Sequence, residues 1–268
     1  MSFRISQVDA FTDRPFAGNP AVVCVLAEPV EDQWMQDVAA EMNLSETAFA
    51  LRLGSERKFN LRWFTPKSEV DLCGHATLAT AHVLWDEGHL PINEPARFET
   101  RSGLLTARRG PSGIELDFPA EPIEGSITDP DVLASLRLAV PAQIRFVGRN
   151  RFDLLVEVED EDQVRALQPD IRRLEQLPVR GVIVTSRAAS REFDFVSRFF
   201  APRLGVDEDP VCGSAHCCLG PYWGEKLGRT ELTGHQVSQR GGIVRVRIEG
   251  RRIALIGRAV TVLRGELV

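Results

Sequence analysis

The sequence repeats one pattern of residues at two places 139 positions apart, and this repeat constrains the fold more than any other feature. Residues 69–76 (EVDLCGHA) and 208–215 (EDPVCGSA) both read as acidic and aliphatic residues followed by Cys, Gly, a polar residue and Ala. At the same offset, residues 101–105 (RSGLL) match residues 240–244 (RGGIV). Because solenoid repeats have periods of roughly 20–50 residues, this longer period indicates two copies of one large supersecondary unit.

Each copy has the pattern of several strands around one helix. An aromatic segment of strand composition precedes the Cys-Gly pair, a helical pattern follows it, and a hairpin closes the copy, with turns at 110–113 and 249–251. We therefore predict an α+β fold of two pseudo-symmetric lobes, each with a curved, mostly antiparallel sheet wrapped around a central helix. The predicted lobes are residues 1–119 and 120–268, and the last strand could pair back to the N-terminal lobe.

Composition and charge exclude several classes of function. The chain has 32 Lys and Arg against 38 Asp and Glu, a net charge of −6, so no basic excess is present to bind a nucleic-acid backbone. The longest apolar run, 21–27, has 7 residues, whereas a membrane span needs about 20. The N-terminus also has no apolar signal segment, and the five cysteines are an odd number. We expect a cytoplasmic protein with reduced thiols and neither nucleic acid nor membrane as a partner.

Both copies place a glycine directly after cysteine at the predicted start of a helix, at Gly74 and Gly213. The first backbone N–H groups of a helix have no partner within it, and glycine adds no side chain to obstruct them. Together with the helix dipole, these donors make a helix start a site for anions. We therefore expect the two helix starts to bind the carboxylate of a small substrate in a cleft at the lobe interface.

Six motifs in chain order resemble one known family. They are VDAFT at 8–12, GNP at 18–20, NLSETAF at 43–49, FTP at 64–66, LCGHAT at 72–77 and EDPVCGSAH at 208–216. From about residue 5 to the C-terminus the chain resembles the PhzF-like family of phenazine-biosynthesis-type isomerases. The resemblance implies the diaminopimelate-epimerase-like fold, in which two similar lobes each form a barrel-like sheet around a helix and the active site lies between them.

The resemblance also implies roles for individual residues. Glu46 matches the general acid/base of a cofactor-independent isomerase that moves a proton between carbons of a small carboxylate. His75 and Asp209 match groups that position the substrate and handle protons. The implied substrate-binding positions are Asn19, Ser45, Gly74, Gly213 and Ser214. Neither a metal nor an organic cofactor is implied, and a homodimer is consistent with the resemblance.

Cys73 and Cys212 offer a second mechanism. Epimerases that share this fold use one cysteine from each lobe as opposed acid and base, and a helix N-terminus favours the thiolate. PhzF-like sequences commonly carry Thr or Ala where Cys212 stands, so this chain departs towards the epimerase pattern. The NLSET and EDPV motifs favour the Glu46 mechanism. A two-thiol racemase or epimerase of amino or hydroxy acids, and a non-catalytic protein that binds small carboxylates, remain as alternatives.

A zinc site is disfavoured by the spacing of the thiols and imidazoles. The candidate ligands are Cys73, His75, Cys212 and His216. Their Cys-x-His and Cys-x₃-His spacings do not match those of common structural zinc sites. We therefore predict no metal at these residues.

Overall fold

Mixed β-sheet forms the framework of each of two structural units. The computed structural model describes residues 2–54 and 57–268. The first unit takes in the chain up to Phe118 together with Ala254–Val268, and the second is Pro119–Ile253. The lobes expected from the sequence, 1–119 and 120–268, differ from these units in the last 15 residues.

The first unit contains two parallel strand pairs within an otherwise antiparallel sheet. Its elements are β1 (Phe3–Ala10), β2 (Asn19–Leu26), α1 (Asp32–Met42), β3 (Glu46–Leu53), β4 (Lys58–Phe64), β5 (Glu69–Val70), α2 (Gly74–Asp86), β6 (Ala96–Thr100), β7 (Gly103–Gly110), β8 (Gly113–Pro119) and β18 (Ala259–Leu267). The strand order is β18-β1-β2-β3-β4-β6-β7-β8, with β5 and β6 sharing one edge of β4. The parallel pairs are β2/β3 and β4/β6. Crossover helices α1 and α2 make these parallel connections.

The C-terminal strand belongs to the first unit because of its pairing. β18 runs antiparallel to β1 along the whole of β1, from Phe3↔Leu267 to Ala10↔Ala259. This backbone pairing explains why the last 15 residues group with the first unit. The last strand thus pairs with a strand of the N-terminal part of the chain, which the sequence had left as a possibility.

Helix α2 forms the centre of the first unit. Strands β18, β1, β2 and β3, which are neighbours in the sheet, and the more distant strand β7 all pack against it. The residues from His75 to Trp85 are buried, apart from His82. A helix that is enclosed on all sides needs apolar or small residues around its whole circumference, and ATLATA supplies them. The sheet therefore curves around this helix.

The second unit repeats this topology. Its elements are β9 (Gly125–Ser126), α3 (Pro130–Ala139), β10 (Ile144–Arg149), β11 (Asp153–Val158), α4 (Glu161–Ala166), α5 (Ile171–Gln176), β12 (Gly181–Arg187), β13 (Phe195–Ala201), a 3₁₀ turn (Pro202–Leu204), β14 (Val206–Asp209), α6 (Gly213–Leu227), β15 (Glu231–Gln236), β16 (Gly242–Glu249) and β17 (Arg252–Gly257). The pairs β11/β12 and β13/β15 are parallel, and β14 pairs antiparallel with β13. Strands β10 to β16 therefore correspond to β1 to β7, and α6 corresponds to α2.

A cluster of buried side chains surrounds α6, the helix that corresponds to α2. Leu155, Ile183, Phe195 and Leu232, from four different strands, pack with the helix residues Leu219 and Trp223. Trp223 also donates its indole N–H to the Thr185 hydroxyl at 3.0 Å. Gly228, with φ +64°, ends the helix in the left-handed conformation. Pro221 lies inside α6 without ending it.

The predicted fold class is confirmed. Both units are α+β, with a curved mixed sheet around one helix. The predicted hairpin of the first copy is present as β7 and β8, which pair through Gly110↔Gly113. In the part of the chain that the structure describes, no helix has the length and apolar character needed to cross a lipid bilayer.

Candidate active site

Strand topology brings Asn19, Glu46 and His75 of the first unit together. Asn19 is the first residue of β2, Glu46 is the first residue of β3, and His75 is the second residue of α2. Because β2 and β3 are parallel and pair as Ala21↔Glu46, the N-terminal ends of the two strands lie side by side. The His75 ring touches both side chains there, with Asn19 Nδ2 3.1 Å from Nδ1 and Glu46 Oε2 3.2 Å from Nε2.

These contacts fix the protonation of His75. The Asn19 amide nitrogen can only donate, so Nδ1 accepts and Nε2 carries the proton that faces Glu46. Burial lowers the pKa of His75 from 6.5 to about 3, so the imidazole is neutral above that pH. His75 is therefore uncharged, and its Nε2 lies close to Glu46 without making a hydrogen bond to it. It cannot hold an additional proton at neutral pH.

The start of α2 supplies backbone donors beside this cluster. Cys73 is the N-cap residue, and no described side chain caps the helix. The first N–H groups, from Gly74 onwards, thus have no partner within the helix. The Thr77 hydroxyl donates to the carbonyl of Cys73 and holds the N-cap in place. Gly74 is the first residue of this helix, and its role in binding an anion stays a prediction.

Ser45 is the one predicted residue of the first unit without a visible role. It lies half-buried in the bend between α1 and β3, next to Glu46. Its hydroxyl makes no hydrogen bond with any described residue. Its assignment to substrate binding stays a prediction.

One trio among the described residues could hold a metal ion. Glu46, Cys73 and His75 each offer a ligand atom within 4.8 Å of the other two. The two ring nitrogens of His75 face different neighbours, because Cys73 Sγ lies 3.5 Å from Nδ1 and Glu46 lies beside Nε2. An ion held by all three would bind one ring nitrogen and draw the ring away from one of these contacts. Cys73 and Glu46 thus contact different nitrogens of the imidazole, which favours separate contacts to the ring over a shared metal ion.

The second unit has a related cluster at the start of α6. Ser214 is the second residue of α6 and stands where His75 stands in α2. Its hydroxyl oxygen lies 3.3 Å from Cys212 Sγ. Asp209 ends β14, and its Oδ1 accepts a hydrogen bond from the Val211 amide at 3.1 Å. Gly213 begins the helix, whose start is capped by no described side chain.

Gln236 braces the loop that carries Asp209 and Cys212. Its Oε1 accepts from the Cys212 amide at 3.0 Å, and its Nε2 donates to the Asp209 carbonyl at 2.6 Å. Gln236 is fully buried. The role of Gln236 cannot be predicted from the sequence, because it depends on the parallel pairing of β15 with β13, in which Gln236 lies opposite Ser197.

Arg180 and Asp153 were also missed. Arg180 directly precedes β12, and Asp153 begins the parallel strand β11, with Asp153↔Gly181 in register. Arg180 Nε donates to Asp153 at 2.9 Å, and Arg180 Nη2 donates to the Ser214 hydroxyl at 2.9 Å. The sequence offers one sign of the role of Arg180, which is an arginine directly before a strand of the repeat. Residues 120–180 contain no motif that indicates a function.

The environment of the Cys212 thiol disfavours its thiolate form. Cys73 and Cys212 are both N-cap residues and both buried. Burial, reinforced by the nearby charge of Asp209, raises the pKa of Cys212 above that of an ordinary thiol. The helix start was expected to favour the Cys212 thiolate, and for this residue burial outweighs that effect. His216, whose Nδ1 lies 2.8 Å from the Cys212 carbonyl, is fully buried in the helix.

Related sequences cover the whole chain. An isomerase of Halalkalibacterium halodurans, described as uncharacterized, is 51% identical over 268 residues, covering 100% of this chain and 99% of the relative. A second uncharacterized isomerase, from Pseudomonas aeruginosa, is 47% identical with the same coverage.

Solved structures match the fold closely. A crystal structure of a phenazine biosynthesis protein of the PhzF family from Enterococcus faecalis is 41% identical and superposes with a TM-score of 0.93, covering 100% of both chains. A probable proline racemase from Agrobacterium radiobacter shares the fold at a TM-score of 0.63 and 11% identity, covering 99% of this chain and 93% of that one. The family model described as phenazine biosynthesis-like protein (PhzC-PhzF) matches residues 8–265. With this match over nearly the whole chain, the protein belongs to the PhzC-PhzF family of phenazine biosynthesis-like proteins.

Proposed function

We propose that the protein is an isomerase that moves a proton between carbons of a small carboxylate, with Glu46 as general acid/base. The observation that carries the proposal is the array Asn19–His75–Glu46, in which Nε2 of a neutral imidazole lies close to a partly buried carboxylate. The isomerase names of two relatives, at 51% and 47% identity, support the reaction class.

Glu46 is the proton carrier in this proposal, and His75 is a hydrogen-bond donor to the substrate. A group that isomerises a carbon acid must accept a proton in one step and return it in another. His75 stays neutral at pH 7 because its pKa is about 3, and its Nε2 makes no hydrogen bond to a described residue, so it can serve as a fixed donor to a substrate oxygen. Glu46 has a side chain 16% exposed, which leaves it accessible to a substrate carbon.

The start of α2 would bind the substrate carboxylate. Its backbone N–H groups and the positive end of the helix dipole attract an anion, and Gly74 leaves room for it. No resident cofactor is needed for this chemistry, since the helix start and Nε2–H of His75 can stabilise the anion that develops when Glu46 removes the proton. The assignment of Asp209, Gly213 and Ser214 to the same reaction, like the homodimer, stays a prediction.

Deuterium incorporation tests the proposal. The protein is incubated in deuterated buffer with a panel of small amino, hydroxy and unsaturated carboxylic acids, and label uptake is followed by mass spectrometry and NMR. We expect uptake or double-bond migration for a member of the panel and a loss of at least 100-fold with Glu46→Gln. The matched control is Glu41→Gln, an exposed residue of α1, which should leave the rate unchanged.

The outcomes separate the candidate functions. Full activity of Glu46→Gln would overturn the role of Glu46. Binding of a carboxylate without any label uptake across the panel would favour the non-catalytic binding protein instead. Because Cys73 and Cys212 are the N-cap residues of two corresponding helices, the two-thiol epimerase is the second candidate. It requires that removal of either thiol abolish label uptake at the α-carbon.

A further inference from the structure

Arg180 of the second unit is held in place by a buried carboxylate. Asp153 is 1% exposed, and it accepts from Arg180 through both of its oxygens, at Nε and Nη2. The guanidinium also lies over the Phe152 ring at 5.0 Å and near the Phe199 ring at 5.7 Å. A bidentate pair between two aromatic rings leaves the guanidinium little freedom of orientation.

The charge of Arg180 is permanent. Burial disfavours the cation, but the hydrogen bonds and charge of Asp153 outweigh this effect, and the pKa of Arg180 is raised above its already high ordinary value. Arg180 also interacts electrostatically with Asp209 and Cys212. One cation therefore influences both of the polar residues, Asp209 and Ser214, that the sequence singled out in this unit.

Arg180 determines what the Ser214 hydroxyl can do. Arg180 Nη2 donates to Ser214 Oγ at 2.9 Å, and a guanidinium has no acceptor. Ser214 must then direct its own proton elsewhere, either to Cys212 Sγ at 3.3 Å or to a bound ligand. The hydroxyl is thus oriented as a hydrogen-bond donor at the start of α6, where the backbone N–H groups are donors as well.

The corresponding position in the first unit carries no charge. The first pair of strands β11 and β12, Asp153↔Gly181, corresponds to the first pair of strands β2 and β3, Ala21↔Glu46. Arg180 therefore occupies the position of Ser45. Ser214 occupies the position of His75. The helix start of the first unit faces the carboxylate of Glu46, whereas that of the second faces a guanidinium. Of the two corresponding positions, 45 and 180, only the second therefore places a cation beside a helix start.

We infer that Arg180 is a positioning residue, which fixes Ser214 as a hydrogen-bond donor to an acidic group of the ligand at the start of α6. The inference rests on the proposed function in taking a small carboxylate as the ligand. Arg180 acts through Ser214 and is itself held by Asp153.

Binding of carboxylate probes, measured without turnover, tests this inference. Pyruvate and succinate are titrated into the ¹⁵N-labelled full chain, and the amide shifts of Gly213, Ser214 and Ala215 are followed. We expect saturable shifts in the wild type, a Kd raised at least tenfold in Arg180→Met, and an increase of about threefold in Arg180→Lys, which keeps the charge with fewer donors.

A double-mutant cycle tests whether Arg180 acts through Ser214. Ser214→Ala should raise the Kd at least tenfold, and Arg180→Met should add little to it in that background. If the two losses multiply, Arg180 acts on the anion independently and the positioning role is wrong. Wild-type affinity in Arg180→Met, or no probe-induced shift at residues 213–215 of the wild type, would also overturn the inference.

Arg198 provides the matched control. It makes a bidentate pair with Glu208, at 2.7 and 2.8 Å, and lies over Phe200, but it makes no hydrogen bond to Ser214. Arg198→Met should lower stability as Arg180→Met does while leaving the Kd of the probes unchanged. Failure of the proposed function gives a different result: a wild type that binds the probes but incorporates no deuterium would overturn the isomerase and leave Arg180 as a positioning residue.

Discussion

At the scale of single residues, the state of His75 is set by two neighbours and by burial. Asn19 donates to one ring nitrogen, and the loss of solvent disfavours the imidazolium. The sequence predicted that His75 belongs to the site, because it follows Cys-Gly in a recognisable motif. Its neutral state and its tautomer could not be predicted, since the first depends on burial in the fold and the second on the contact with Asn19.

The protonation state of His75 can be observed directly. We expect ¹⁵N spectra of the histidine rings to show His75 as the Nε2–H tautomer, with no titration between pH 5 and pH 9, because its pKa is about 3. Asn19→Ala removes the donor to Nδ1 and should produce a mixture of tautomers. An imidazolium signal from His75 near pH 6.5 would contradict this prediction.

Cys212 is expected to be dispensable for proton transfer. Burial raises the pKa of its thiol, so little thiolate is present at neutral pH. We predict that Cys212→Ser retains deuterium incorporation to within about threefold of the wild-type rate. Cys217→Ser, another buried thiol of α6, serves as the matched control for loss of stability. A loss of 100-fold in Cys212→Ser alone would support the two-thiol mechanism.

At the scale of elements, the two helix starts were predictable and the strand ends were not. Cys73 and Cys212 lie at equal positions in the repeat, and each begins a helix with glycine next to it. Arg180 and Asp153 are 27 residues apart, and only the parallel register of β11 and β12 makes them neighbours. Sequence spacing predicts local elements well, whereas this pair depends on which strands become adjacent.

The turn between β1 and β2 has a strict requirement for glycine. Gly18 has φ +66°, and an added Cβ would lie 2.1 Å from the Ala10 carbonyl oxygen. We predict that Gly18→Ala costs about 3 kcal/mol or more in the free energy of unfolding, from backbone strain and this clash together. Urea denaturation measures the loss. Gly18 also precedes Asn19, so the variant should lower deuterium incorporation as well.

Gly228 is the control for that prediction. It has nearly the same backbone angle, φ +64°, but an added Cβ would meet nothing within 4 Å. Gly228→Ala should therefore cost only about 1 kcal/mol, from the left-handed conformation alone. Equal losses in the two variants would show that the contact with Ala10 does not matter.

At the scale of the whole molecule, one topology serves two units with different chemistry. The repeat in the sequence predicted the common unit because its glycines and cysteines mark equivalent turns and helix starts. The repeat could not assign the C-terminal strand, because the place of β18 follows from its pairing with β1.

Buried histidines make the folded state sensitive to acid. Burial lowers the pKa of His75 from 6.5 to about 3 and that of His216 from 6.5 to about 4. Below pH 6.5 the unfolded chain binds protons that the folded protein does not, so stability falls as the pH decreases. Each histidine contributes a slope of up to about 1.4 kcal/mol per pH unit between these pKa values.

A variant isolates the contribution of His216. Urea denaturation at pH 8, 7, 6, 5 and 4.5 should show a smaller loss of stability in His216→Gln than in the wild type, by up to about 1.4 kcal/mol per pH unit below pH 6. Between pH 8 and pH 7 the two proteins should have equal slopes. Parallel curves down to pH 4.5 would contradict the lowered pKa of His216.

The pairing of β1 with β18 also sets the order in which the protein can be completed during synthesis. The second unit is one continuous segment, Pro119–Ile253, so the whole segment is available once residue 253 has left the ribosome. The first unit begins the chain, yet it must wait for its last strand until residues 259–267 emerge. Until then one edge of β1 is unpaired, and the nascent chain carries an open sheet edge while the whole second unit is translated. The half of the protein that is made first is therefore the half that is finished last.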